Sequence, residues 1–132
     1  KEENMNGWKP LPLSLKILSI VLLLWVLMSI SVVVAMPERE IALFGLLLQG
    51  APATTVVLLL DIISPLIFIY SAWKKLKWGA NFGMLYNAVF NVNCIVSLFL
   101  FRDLFGNGIY FPLIASAIFL FIIYKERNYF ST

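Results

Sequence analysis

Residues 13–36 read LSLKILSIVLLLWVLMSISVVVAM, a run of 24 positions with one charge, Lys16. A helix needs about 20 mostly apolar residues to cross a hydrocarbon core of about 30 Å, so this run predicts a membrane span. Pro10 and Pro12 suit a helix start, with Ser14 as a cap candidate. Pro37 ends the run and Glu38-Arg39-Glu40 is the first charged turn. Working outward, two more runs have the same character. One covers 80–101 and stops at Arg102-Asp103; the other covers 107–124 and stops at Lys125-Glu126-Arg127.

The apolar stretch from Ile41 to Trp73 is too long for one crossing. At helical rise it would extend roughly 50 Å, well beyond the core thickness even with tilt. Gly50-Ala51-Pro52 marks the break, because proline cannot continue a helix smoothly and glycine tolerates a turn. The crossing is then 53–73, and 41–49 becomes a separate piece. That piece is apolar all round, unlike a surface amphipathic helix. It reads as a re-entrant segment shielded by protein, or as an interfacial segment under the lipid head groups. One long, kinked helix is the competing reading. The expected fold is all-α: a polytopic membrane protein of one domain over 1–132, a four-transmembrane-helix bundle with a short re-entrant or interfacial segment between helices 1 and 2.

Composition agrees. The 132 residues are 61% hydrophobic and 13% charged, against about 45–50% and about 25% in soluble domains. A soluble enzyme, a disordered tail and a disulfide scaffold are excluded, the last because there is one cysteine. With no histidine, the commonest metal ligand and general base is missing. The first run is too long for the apolar core of a signal peptide and lacks a small-residue cleavage site, so no cleaved signal is expected.

Lysine and arginine counts set the expected orientation. Lys1, Lys9, Lys16, Lys74, Lys75, Lys77, Lys125 and Arg127 share one side if there are four crossings, leaving Arg39 and Arg102 on the other. Both termini are therefore expected in the cytoplasm, in a prokaryotic cytoplasmic membrane. Trp8, Trp73, Trp78, Tyr70, Tyr124 and Tyr129 cluster near those ends, as an interfacial aromatic belt does. The formal charge of +3 carries this topological signal and favours anionic lipid heads; it is no nucleic-acid footprint.

Asp61 is the one acidic residue deep inside a span, about 12 Å down at helical rise. Placing an aspartate there costs roughly 2.5–3.5 kcal/mol on insertion scales. Four residues on, Pro65 has no N–H to offer the Asp61 carbonyl, so a carboxylate and a released carbonyl share one region. Broken helices in transporters hold ions in this way. The third span carries Asn81, Asn87, Asn91 and Asn93. By depth alone, Asp61, Asn91, Asn93, Ser29 and the Trp25 indole converge, which makes them the candidate ion or proton site. Asn87 and Ser116 are candidates for polar helix packing, and Ala115-Ser116-Ala117 for close helix approach. Asp61 also has a structural reading, as a protonated clamp bonded to an amide or paired with Arg39 or Arg102. Cys94 reads as an inert, small core residue.

Two functions follow. One is a non-catalytic binding protein or accessory subunit of a membrane complex. The other is a small ion- or proton-coupled transporter or channel using Asp61. An enzyme is not expected, since no metal-ligand spacing, phosphate-cradling motif or nucleophile–base pair is present. Neither cofactor nor metal is expected. The expected partners are membrane lipids, together with further copies of the chain or a larger membrane protein.

Overall fold

The computed structural model describes residues 11–35 and 40–131, of which 83% are helical. Four helices are long and apolar enough to cross a membrane: Leu13–Ala35, Ala51–Trp73, Gly79–Leu100 and Arg102–Lys125. A short fifth helix, Arg127–Ser131, follows. The Lys1, Lys9, Trp8, Pro10, Met36, Pro37, Glu38 and Arg39 readings lie outside the described residues.

Several polar residues of these helices are turned inward and many large apolar ones outward. Ser19, Ser29, Ser71, Asn87, Ser97 and Ser116 are buried, whereas Leu24, Leu27, Leu85, Phe99, Ile114 and Phe121 are exposed. A fold solvated by water has the reverse arrangement. Inside the bundle, small and polar side chains let helices approach closely and bond to one another.

The segment 41–49 departs from the expected all-α fold. Ile41–Leu43 (β1) and Leu46–Leu48 (β2) pair antiparallel, with Leu43 opposite Leu46. The segment is a hairpin and not part of one long, kinked helix. The tight turn between the strands is Phe44-Gly45, with φ of 47° and 94°. Two consecutive positive φ values are the signature of the hairpin turn whose twist matches its strands. Gly45 takes this conformation freely; Phe44 does so against the usual preference of a side-chain-bearing residue. Gly50, at φ 69°, then redirects the chain into the second helix, which has Pro52 in its first turn.

That second helix is continuous but not uniform. Between Leu58 and Ile63 it widens into a π-helical stretch before returning to α-geometry at Ser64. The Ser64 N–H reaches back five residues to the Leu59 carbonyl, and its Oγ donates to the same oxygen at 2.6 Å. Pro65 supplies the reason. Its ring crowds the carbonyl four residues back and it donates nothing, so the ladder is disturbed just where the helix absorbs an extra residue. The fourth helix is likewise interrupted: a 3-10 turn at Gly106–Ile109 precedes the regular stretch Tyr110–Lys125, and Gly106 has φ of 66°.

Among the described residues, one end of the bundle collects basic side chains from two segments. Ser14, read as a cap candidate, instead lies inside the first helix, and its hydroxyl donates to the Glu126 carboxylate at the end of the fourth. Tyr129 donates to the Ala72 carbonyl at 3.1 Å, and the Lys75 ammonium stands 5.2 Å from the Tyr129 ring centre. Lys74, Lys75, Lys125 and Arg127 therefore share one end, with Tyr70, Trp73, Trp78 and Tyr124 exposed there. The hairpin and the turn carrying Arg102 lie at the other end, where Leu100 packs beside Gly45.

Candidate functional site

Asn93 projects from the third helix onto the hairpin. Its Nδ2 donates to the Ala42 carbonyl at 3.0 Å, and its Oδ1 accepts from the Phe44 N–H at 2.8 Å. With a two-residue turn, Leu43 and Leu46 form the hydrogen-bonded pair, so the Ala42 carbonyl points away from the partner strand. The amide thus satisfies two backbone groups that the hairpin cannot satisfy itself. It also holds Phe44 in its left-handed conformation.

Beneath the hairpin lies a chamber of about 380 Å³. The first helix contributes Trp25, Met28, Ser29 and Val32 to its wall, the second Val56, Leu60 and Asp61, and the third Phe90 and Asn93. Phe111 and Pro112 close it from the fourth helix. Trp25 organises the aromatic part: it stacks on Phe111 at 5.9 Å between ring centres and 15° between planes, and meets Phe90 edge-on at 5.9 Å and 77°. Ser29 is buried, and Asp61 is half-buried with its Oδ1 shielded.

Past Asp61 the space continues as a crevice of about 10 Å³, lined by Leu22, Tyr86, Asn87, Ser116 and Phe119 along with Trp25, Asp61, Phe90 and Pro112. That is about the room one water molecule needs. A third pocket, of about 210 Å³, flanks Asn93 on its other side, with Glu40, Cys94 and Ser97 in its wall.

Of the residues that depth alone assigned to one site, the structure gathers Asp61, Trp25, Ser29 and Asn93 around the chamber. Asn91 is not among them. Its Nδ2 donates to the Leu113 carbonyl at 3.0 Å and to Ser116 Oγ at 2.9 Å, tying the third helix to the fourth. Asn91 and Asn93 share a depth, but two residues turn a helix by about 200°, so the side chains leave on opposite sides. The Asn87 amide donates at 2.9 Å to the Gly83 carbonyl of its own helix, a bond that clamps no neighbour, while its side chain faces the crevice. Ser116 does both jobs, joining Asn91 and lining the crevice. The Arg102 guanidinium stands 5.9 Å from the Tyr110 ring centre.

Sequence reasoning passed over Tyr86, Phe90, Phe111 and Pro112. Tyr86, Phe90 and Asn93 recur at i, i+4 and i+7, one stripe of the third helix, and that spacing could have found the first two. Nothing comparable points to Phe111 or Pro112. Comparison of the chain with known protein families, with curated proteins and with solved structures gives no match.

Proposed function

We propose that this chain is an integral membrane protein with a non-catalytic role, holding a small amphiphilic molecule in the chamber beside Asp61. It acts alone or as an accessory subunit of a larger membrane assembly. The observation that carries this reading is the chamber itself: about 380 Å³, within the about 300–1,000 Å³ of small-molecule sites, with few polar groups in an apolar wall. The four apolar helices with outward-facing Leu, Ile and Phe support the membrane setting. Gathering Lys74, Lys75, Lys125 and Arg127 at one end supports a cytoplasmic location for that end. The connections between the four helices are short, which leaves the chamber as the place where a small molecule would be held.

The test is native mass spectrometry of the full chain extracted in mild detergent. The wild type should carry one bound molecule, and Val56→Trp, which fills the chamber, should lose it. A chain that carries nothing in either form overturns the reading. The same spectra give the mass of the particle and so reveal a second copy or a larger partner.

One observation favours a second reading. The crevice continuing past Asp61 toward Tyr86 and Ser116 supports ion or proton coupling through that carboxylate. In proteoliposomes, that reading requires a proton or cation flux that Asp61→Asn abolishes. Flux that survives the substitution removes Asp61 from any coupling role.

A further inference from the structure

We infer that the guest of this chamber is an uncharged, mainly hydrocarbon molecule with a hydrogen-bond-accepting oxygen, a ketone or an alcohol, held by the Ser29 hydroxyl. The inference rests on the binding role proposed above and specifies its chemistry.

Ser29 is 5% exposed and lies in the chamber wall. A hydroxyl within a membrane helix commonly gives its proton to a carbonyl of its own helix. Ser31 does so to Leu27 at 3.0 Å, and Thr55 to Ala51 at 2.9 Å. Ser29 makes no such bond among the described residues. Nor is its oxygen sealed into the packing, as the Ser19 oxygen is; what opens before it is the chamber. A buried hydroxyl without a partner costs free energy, and a guest that bonds to it recovers that cost.

Trp25 gives the sense of that bond. It stands one turn before Ser29 on the same helix face, and both line the chamber. An indole N–H donates and never accepts, whereas a hydroxyl does either. Two donors one turn apart call for an acceptor between them, and a ketone or alcohol oxygen has two lone pairs to offer. The Asn93 amide spends both its polar atoms on Ala42 and Phe44, so it does not compete for that oxygen. Apart from Asp61, the remaining wall is apolar, with Phe90, Phe111, Met28 and Leu60 in it. Such a wall suits a hydrocarbon body, and burying a neutral oxygen against it costs far less than burying a charge.

The experiment measures equilibrium binding of radiolabelled benzophenone to the full chain in lipid nanodiscs. Its diphenylethylene isostere, with a methylene group in place of the ketone oxygen, is measured beside it at matched mole fraction in the bilayer. Saturable binding of one ketone per chain is expected, about three- to tenfold tighter than the hydrocarbon, the worth of one hydrogen bond. Ser29→Ala should weaken the ketone by about the same factor and leave the hydrocarbon unchanged, erasing the preference. Ser29→Thr, which keeps the hydroxyl, should retain it. The wild-type comparison tests the oxygen without requiring any variant to fold. Equal affinity for the two probes overturns the oxygen-bearing guest and leaves a plain hydrocarbon in the chamber. A preference that survives Ser29→Ala overturns the anchorage at Ser29. No saturable binding of either probe overturns the binding role as well.

Discussion

At the end of the bundle that carries Lys74 and Lys75, the fully buried rings of Phe68 and Phe130 lie 5.9 Å apart. Leu11, Leu15, Leu18, Leu22, Ala72, Ala80 and Ile123 pack around them. Gly79 and Gly83 bring the third helix so close that an added Cβ at Gly83 would stand 2.5 Å from the Phe68 ring. At the hairpin end the buried cluster shrinks to Val26, Val57 and Ile62, and the space around it is chamber and pocket. The same four helices are closed at one end and hollow at the other. The π-helical stretch, the 3-10 turn and the left-handed turn at Phe44 fall in the hollow half, while the packed end has a left-handed residue in its connecting turn, Lys75 at φ 55°. One half supplies stability and the other supplies room, and a chain of this length has little material to do both in one place.

The comparison can be broken most forcefully at Phe68. Phe68→Ala should cost about 3–5 kcal/mol and lower the thermal midpoint of the purified chain. A midpoint equal to wild type would mean that the packed end is not the seat of stability. Gly83→Ala comes next. Its methyl meets a buried ring with no free direction to move, so a loss of about 1–3 kcal/mol is expected in the same melt. The spacing Gly79-x-x-x-Gly83, a pattern for close helix approach that sequence reasoning passed over, could have found this contact.

The neighbouring amides sharpen the contrast. Asn93→Ala removes two bonds, each worth about 0.5–1.5 kcal/mol, but it should act locally. Hydrogen exchange at the Phe44 amide should accelerate while the thermal midpoint stays near wild type. Asn91→Ala should do the reverse, costing about 0.6 kcal/mol and so lowering the midpoint slightly, while leaving the hairpin protected. Matching effects from the two variants would show that the halves are not separable.

The smallest effect concerns the last short helix. Burial holds the Tyr129 phenol above its ordinary value of 10.0. The folded chain thus keeps this proton to higher pH than the unfolded chain, so its contribution is whole below pH 10 and falls as pH rises past the raised value. Melts at about pH 9 and about pH 11 should show a smaller alkaline loss in Tyr129→Phe than in wild type.

The four long helices were legible because a run of about 20 apolar residues is a length signal that no packing detail can disguise. The hairpin was not. Three-residue strands of Ile, Ala and Leu show no alternation when both faces are apolar, and leucine favours helix on propensity. Only Gly45 hinted at a turn. Pro65 correctly announced a disturbed ladder around Asp61, yet proline alone does not say whether a helix kinks or widens. The candidate site was legible in depth and illegible in rotation, which is why Asp61, Trp25, Ser29 and Asn93 line one chamber and Asn91 turns away to the fourth helix.

The widened turn at Leu58–Ile63 has a further consequence. A helix that takes up one surplus residue within a single loop of its coil lets everything after that loop resume its former phase. Phe68 and Ala72 therefore keep their seats despite the extra residue in the coil above them. The upper portion of this helix can hold one residue more than a regular coil would, because its anchorage below is insulated from it.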